Sequence, residues 1–380
     1  LDFMDFNAME ADLKAAGVRI FGLDATVAQD LEPEYVTILN DDATAFVVLQ
    51  ENNALAKIDL IAKEIIEILP LGTIDHSVYG FGLDASNRTS GINIANFPIQ
   101  GMHMPDAIDQ IEILGQSYLI TANEGDSRDY DGYSEEERVE DLTLDETAFP
   151  DAAIWQNELL LGRLKTTSAT GDTDGDGDID VIHSYGTRSF TIWEAATGDR
   201  LFDSGDLFEQ ILAAHPIFSE LFNADNEDED VKNRSDDKGP EPEGVKTAMI
   251  DGNAYLFVSL ERVGGVFAFN INNPATPIYI GYENNRDVET NGPDRGAEGI
   301  IFIDAVDSPN GKGILILANE VSSTLTIFEV NSCLALSDLV INTTDDANTF
   351  CEGEELDLMA ESDASLAYQW SMDGMDLPGA

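Results

Sequence analysis

Apolar residues along this chain come mostly in short alternating runs bounded by Gly, Asn, Asp and Pro, a pattern of strands and turns. Ala45–Leu49, Tyr118–Ala122, Tyr255–Leu260 and Gly313–Ala318 are the clearest predicted strands. Helical spacing is confined to Leu207–Ala214 and Asp5–Ala16. The pattern therefore predicts an all-β protein.

An internal repeat sharpens that reading. Four segments share one order: a carboxylate after a small residue or proline, an apolar strand, a turn, and a second strand ending in Glu. They run from Glu34 to Glu51, Asp106 to Glu124, Glu243 to Glu261 and Glu298 to Glu320, with separations of 17, 18, 18 and 22 residues. In an antiparallel hairpin the start of one strand and the end of the next lie together, so each pair of acids is expected at one end of its hairpin. Radially repeated blades would gather all these ends around one axis. A third strand is predicted after three of the units, at Ala54–Leu60, Gly265–Ile271 and Thr324–Val330, and Arg188–Glu194 with Arg200–Asp203 reads as a further unit without the acids. Glu at strand ends also marks turn entry, but Glu is not a favoured turn residue and four paired occurrences strain that alternative.

Two acidic insertions, Gly125–Thr167 and Asn223–Gly239, interrupt the strands and are expected to cap one face. The character changes near Ser332, dividing the chain into 1–331 and 332–380. The second part places Trp370 19 residues after Cys351, like the opening of an immunoglobulin-like sandwich whose later strands lie beyond the sequence. Cys333 and Cys351 either bridge each other in an oxidising compartment or pair elsewhere. Beginning at Leu1 without Met or signal peptide, the sequence reads as a processed or excised piece of a longer precursor.

Charge changes the picture most. Nineteen basic residues against 74 acidic ones leave a formal charge of −55 in 380 residues. Nucleic acid and anionic lipid would be repelled, and no apolar run approaches the ~20 residues that span a bilayer. Two carboxylates ~4 Å apart repel by roughly 4 kcal/mol at an effective dielectric near 20, so clustered acids call for counter-ions. A solvated surface suited to salty surroundings accounts for dispersed acidity but not for the clusters.

The sharpest cluster is GDTDGDGDID, Gly171–Asp180, in which Asp172, Asp174, Asp176, Asp178 and Asp180 alternate with Gly, Thr and Ile. Alternating Asp and Gly lets a tight loop aim several hard oxygens at one calcium-sized ion. Its first half matches an EF-hand loop, but His183 stands where the bidentate Glu belongs, so other loops must complete the shell. The second candidate is the ring itself: Glu34, Glu51, Asp106, Glu124, Glu243, Glu261, Glu298 and Glu320, with Asp126 close behind. Oxygen-only donors suit Ca²⁺, with Mg²⁺ or another divalent ion as the alternative, rather than zinc or copper. His76, His103, His183 and His215 are scattered and read as structural. Arg128 and Arg262 adjoin the ring; either they clamp a phosphate beside the metals or they form salt bridges within it.

LEPEYVTIL with LQENNALA, MPDAI with TANEGDSRDY, GTRSFTIW with DSGD, RSDDKGPEPEGV with SLERVGG, and GAEGI with LANEVSSTLTIFEV together resemble the choice-of-anchor I family over about residues 15–330. That resemblance implies a secreted, calcium-binding, seven-bladed β-propeller. It extends to atypical bacterial alkaline phosphatases and to cell-surface glycoproteins of skeleton-forming mesenchyme cells. The C-terminal part resembles Ig-like repeats of surface-attached bacterial proteins.

Two functions are therefore expected to compete. One is a metal-dependent phosphomonoesterase using Glu124, Asp126, Arg128, Glu243 and Arg262 on phosphate esters. The other is a non-enzymatic, calcium-stabilised adhesion, filament or matrix module at the cell surface, binding surface or matrix polymers within a longer chain.

Overall fold

The computed structural model describes residues 1–226, 230–288, 290 and 292–330, and beyond them only the backbone of four short strands between Val340 and Asp376. The chain divides into two compact units, Leu1–Val330 and Asn331–Ala380. In the second, Val340–Thr343 pairs antiparallel with Leu358–Glu361, and Ser371–Met372 with Met375–Asp376. Cys333, Cys351 and Trp370, on which the Ig-like expectation rests, lie outside the described residues.

The first unit is mostly strand, arranged in several small antiparallel sheets. Four of them repeat one design. The first orders Pro33–Ile38, Thr44–Leu49, Ala54–Asp59 and Glu64–Pro70 as a meander. The third does the same with Pro242–Ile250, Asn253–Leu260, Val266–Asn270 and Ile278–Glu283, and the fourth with Ala297–Ile303, Gly313–Asn319 and Thr324–Val330. The second sheet joins Ala107–Ile113 and Gln116–Asn123 to Ser189–Glu194 and Arg200–Asp203. This corrects the sequence reading of the last two strands as a separate unit. They complete the second repeat, and an insertion between Asn123 and Ser189 hides their continuity with it.

The sheets stack face to face because their strands are apolar on both sides. Phe46, Val48 and Leu55 meet Ile108, Leu119 and Trp193 between the first and second sheets. Ile120, Phe190 and Ile192 meet Leu256, Val258 and Phe269 between the second and third, with Phe208 and Leu212 of helix Leu207–Ala214 added. Tyr255 and Phe257 meet Ile300, Leu315 and Leu317 between the third and fourth. As a result the leading strands of successive sheets lie side by side: Pro33–Ile38 beside Ala107–Ile113, that beside Pro242–Ile250, and that beside Ala297–Ile303. Burial of three such apolar layers, at roughly 25 cal/mol per Å², holds the array together.

The amino-terminal helix Glu10–Ala16 ends at Gly17, whose φ of 104° allows the chain to turn back. Phe6, Leu13, Val18 and Ile20 then pack on the first sheet. The large insertion has its own core, in which Val139, Leu144, Leu161 and Leu164 meet Leu83, Phe97 and Ile99.

Candidate metal centre

The first carboxylate of three repeats sits in a β-bulge. Register slips between Pro33 and Val36, between Pro242 and Val245, and between Ala297 and Gly299, and these steps contain Glu34, Glu243 and Glu298. A bulge bends its strand and re-aims a side chain. In the second sheet Asp106 stands just before Ala107–Ile113, its N–H donating to the Ala122 carbonyl at 3.2 Å. The second carboxylates follow the neighbouring strands: Glu124 after Asn123, Glu261 after Leu260, Glu320 after Asn319, and Glu51 two residues past Leu49. Backbone bonds tie the two ends of a repeat together, from Glu261 N–H to the Glu241 carbonyl (2.9 Å) and from Glu320 N–H to that of Gly296 (2.7 Å).

These ends converge. Oxygens of Asp106, Glu124 and Glu243 lie within 4.8 Å of one another, as do those of Glu124, Glu241 and Glu261. Glu34 interacts with Glu51 and Asp106, Glu243 with Glu124, Asp106, Glu261 and Glu298, and Glu298 with Asp106 and Glu320. All eight ring residues thus belong to one interacting set. The set grades from deep to open: Glu243, Glu124 and Glu51 are 4%, 7% and 8% exposed, Asp106 and Glu261 are half-buried, and Glu34, Glu298 and Glu320 face solvent.

Burial, reinforced by neighbouring carboxylates, pushes the Glu243 carboxyl well above its ordinary range, and Glu124 likewise despite the opposing pull of Lys238. Glu34, walled in on one side and facing Glu51, Asp106, Asp126 and Glu32, is pushed up to about 8. Burial raises Glu261 to about 7 and Glu51 to about 6. Buried as they are, Glu243 Oε2 and Glu51 Oε2 find no hydrogen-bond partner. Such an oxygen is costly unless something positive meets it. The donor set is all oxygen, so the residues present fit a hard divalent ion.

The basic residues are already engaged. Arg128 is buried against Asp30 (2.9 Å) and Glu32 (2.9 Å) and stacks over Phe21 at 4.4 Å. Arg262 reaches Glu241 at 2.9 Å and Glu261 at 3.1 Å. Of the two roles open to these arginines, the geometry displays salt bridges; clamping a phosphate would require giving them up. Asp126, at the rim, lies 3.5 Å from Lys238.

Sequence reasoning passed over Glu241, which is fully buried. Burial alone would raise its carboxyl, but Lys238, Arg234 and Arg262 hold it far below the usual carboxylate range. A signal for it existed: Glu-Pro-Glu occurs both at Glu32–Glu34 and at Glu241–Glu243. In each copy the first Glu receives an arginine, Arg128 or Arg262, and the second faces the ring.

The Gly171–Asp180 loop is exposed and curled on itself. Asp172 accepts from the N–H groups of Gly175 (2.6 Å) and Gly177 (3.0 Å), and Asp180 from Thr173 N–H (2.7 Å). Asp174 and Asp176 each accept from the N–H two residues on, both at 3.2 Å. Asp172, Asp174 and Asp180 bring oxygens within 4.8 Å of one another, and a second group joins Asp178 and Asp180 to Asp145, a residue of the insertion that the sequence did not single out. His183 turns away, its Nδ1 lying 3.1 Å from the Thr170 hydroxyl, and burial pushes its pKa down to about 4.

The sequence profile of the family described as Choice-of-anchor I domain matches residues 1–274. The chain is similar to Gigasin-3a of Magallana gigas, 28% identical over 191 residues, covering 46% of this chain and 66% of that protein. It is also similar to the Mesenchyme-specific cell surface glycoprotein of Strongylocentrotus purpuratus, 26% identical over 289 residues, covering 67% of this chain and 37% of that one. The chain thus spans just under two thirds of one relative and little more than a third of the other. The solved β-propeller domain of Cps50 (Swd1) from Myceliophteria thermophila superposes with a TM-score of 0.24 at 10% identity, covering 79% of this chain and 84% of that one. So loose a superposition supports no argument about blade number or chemistry.

Proposed function

The chain belongs to the choice-of-anchor I domain family, and on that premise we propose that it is an extracellular, cell-surface β module whose carboxylate ring holds a divalent cation, Ca²⁺ before Mg²⁺, as a structural part of the fold. One observation carries this reading: acids of the second and third sheets bring oxygens within 4.8 Å of one another, Glu34 of the first and Glu298 of the fourth interact with them, and Glu243 Oε2 and Glu51 Oε2 are buried with no hydrogen-bond partner. Asp106, Glu124 and Glu243 would hold the ion, with Glu34, Glu51, Glu261, Glu298 and Glu320 around it. When bound, the ion supplies positive charge that cancels repulsion between sheets, where a proton does so otherwise. The Gly171–Asp180 loop, with Asp145, is taken as a separate calcium site. The surface assignment draws on the printed name of the mesenchyme-specific relative.

In this reading the four sheets are consecutive blades of a propeller, seven in number by the family resemblance, and the C-terminal unit opens an Ig-like module of a longer surface chain. Structural use of the ion is favoured over phosphomonoester hydrolysis because Arg128 and Arg262 are committed to carboxylates. The test is elemental analysis of the purified protein, with melting curves in chelator and in calcium and a phosphomonoester assay alongside. Bound calcium and a melt that rises with calcium are expected, without turnover. A metal-free protein whose melt ignores every divalent ion sinks the proposal, and calcium-dependent turnover would return it to the phosphoesterase.

A further inference from the structure

Among the described residues Lys238 is the one ammonium seated among the ring carboxylates, and a chain this short of basic residues has built an elaborate support for it. Its loop is bound from several sides. Arg188 Nη2 donates to the Ser235 carbonyl (2.9 Å) and the Asp237 carbonyl (2.8 Å), while Asp236 pairs with Arg138 at 2.8 Å and Arg163 at 3.2 Å. Gly239, at φ 66°, lies so close to Arg188 that a Cβ there would meet the guanidinium carbon at 3.0 Å. Lys238 itself is 9% exposed, with Nζ against Glu124 Oε1 and 3.5 Å from both Asp126 and Glu241.

Glu124 is the residue common to both triads of the ring. The triad with Glu241 and Glu261 is neutralised from within by Lys238, Arg234 and Arg262. The triad with Asp106 and Glu243 has, among the described residues, no ion pair except the one Lys238 makes with Glu124. Glu124 Oε2 is meanwhile held by the Gln50 side-chain amide at 2.9 Å. A divalent ion drawing on Glu124 therefore meets an ammonium already on that carboxylate, and two cations cannot share it without strong repulsion. Asp126 and Glu241, each one short swing away, offer the ammonium somewhere to go.

We propose that Lys238 is a tethered competitor for the ring: it occupies Glu124 when no divalent ion is bound and cedes it on loading, so that this one side chain sets how tightly the ring takes its ion. The inference rests on the ring being a divalent-cation site. It adds a resident cation that keeps the four-sheet array intact between loading events and restricts occupancy to surroundings rich in the ion.

The decisive comparison is calcium titration, by calorimetry, of the whole chain and of Lys238→Met, with folding of both checked by circular dichroism. Losing a full positive charge beside the ion should tighten ring binding at least about tenfold. An equal or weaker affinity in the folded variant overturns the proposal. Should Lys238→Met fail to fold, the wild-type chain still answers through amine acylation read by mass spectrometry. Lys238 should gain reactivity severalfold in saturating calcium as its ammonium leaves Glu124, and unchanged reactivity overturns the proposal. Absence of ring binding in both proteins is a different result, because it removes the cation site itself and the competitor with it.

Discussion

Replacing Glu243 by Gln should be nearly neutral in the absence of the ion and costly in its presence. Glu243 is 4% exposed, its Oε2 has no partner, and the oxygens of Asp106 and Glu124 lie within 4.8 Å of its own. At an effective dielectric near 20, each ionised neighbour at that range repels by roughly 3–4 kcal/mol. The carboxyl escapes by keeping a proton, which is why burial and those neighbours push it so far up. In chelator at pH 7, Glu243→Gln therefore exchanges a protonated acid for an amide of nearly equal size, a change of about 1 kcal/mol or less. In calcium it removes a charged ligand. If the ring binds near ~10⁻⁴ M, as extracellular calcium modules do, then ~10 mM calcium stabilises the fold by roughly 2.7 kcal/mol. A hundredfold loss of affinity leaves only about 0.4 kcal/mol of that. For a unit of this size the wild-type gain corresponds to a melting shift of about 4 °C, and the variant's to less than about 1 °C. Paired thermal melts in chelator and calcium read both numbers. The reasoning fails if the two proteins respond equally to calcium, or if the variant loses several kcal/mol in chelator, which would make the charge of Glu243 itself a structural necessity.

Two further outcomes follow from the same geometry. Glu34, Glu261 and Glu51 titrate near 8, 7 and 6 in the fold, above the ~4.3 of an unfolded Glu, so the cation-free fold holds more protons than the unfolded chain in that window. Their contribution is complete below about pH 4.3 and is lost as pH rises through 6 to 8; melting in chelator should fall from pH 5 to 8.5 while calcium affinity rises, and a flat or rising melt contradicts this. Arg128→Met should cost about 3–5 kcal/mol, because it strands buried Asp30. Chemical denaturation checks this, and wild-type stability would instead free Arg128 for a ligand.

The placement of paired acids at hairpin ends was legible because antiparallel pairing is a local rule. A carboxylate at the start of one strand and another at the end of the next must share an end of the hairpin, whatever the rest of the chain does. The bulges were less visible, although Pro33, Pro242 and Gly299 beside the acids hint at irregular pairing. What stayed hidden were contacts far apart in sequence. Ser189–Glu194 joins the second sheet only after a long detour, and no local pattern announces which strand a detour returns to. The union of Asp145 with Asp178 and Asp180 depends in the same way on two loops meeting, where Asp145 N–H donates to the Ile179 carbonyl at 3.1 Å.

The placement of basic residues gives the ring a direction that composition could not show. With 19 Lys and Arg against 74 acids, most carboxylates must do without a partner, and those that receive one report where neutrality was needed inside the fold. Glu241 receives Lys238, Arg234 and Arg262, while Asp30 and Glu32 receive Arg128. Among the described residues no Lys or Arg pairs with Glu34, Glu51, Asp106, Glu243, Glu298 or Glu320. One side of the ring is thus balanced by resident ion pairs, from Arg128, Arg234 and Lys238 of the insertions and from Arg262 after its strand, and the other is left to mobile charge. Protons serve at low pH, but near neutrality their hold weakens as Glu51, Glu261 and Glu34 titrate in turn. On the proposed reading a divalent ion is the remaining neutraliser able to sit among several oxygens at once, and its loss should loosen the packing of the four sheets at their shared end before any apolar layer between them is breached.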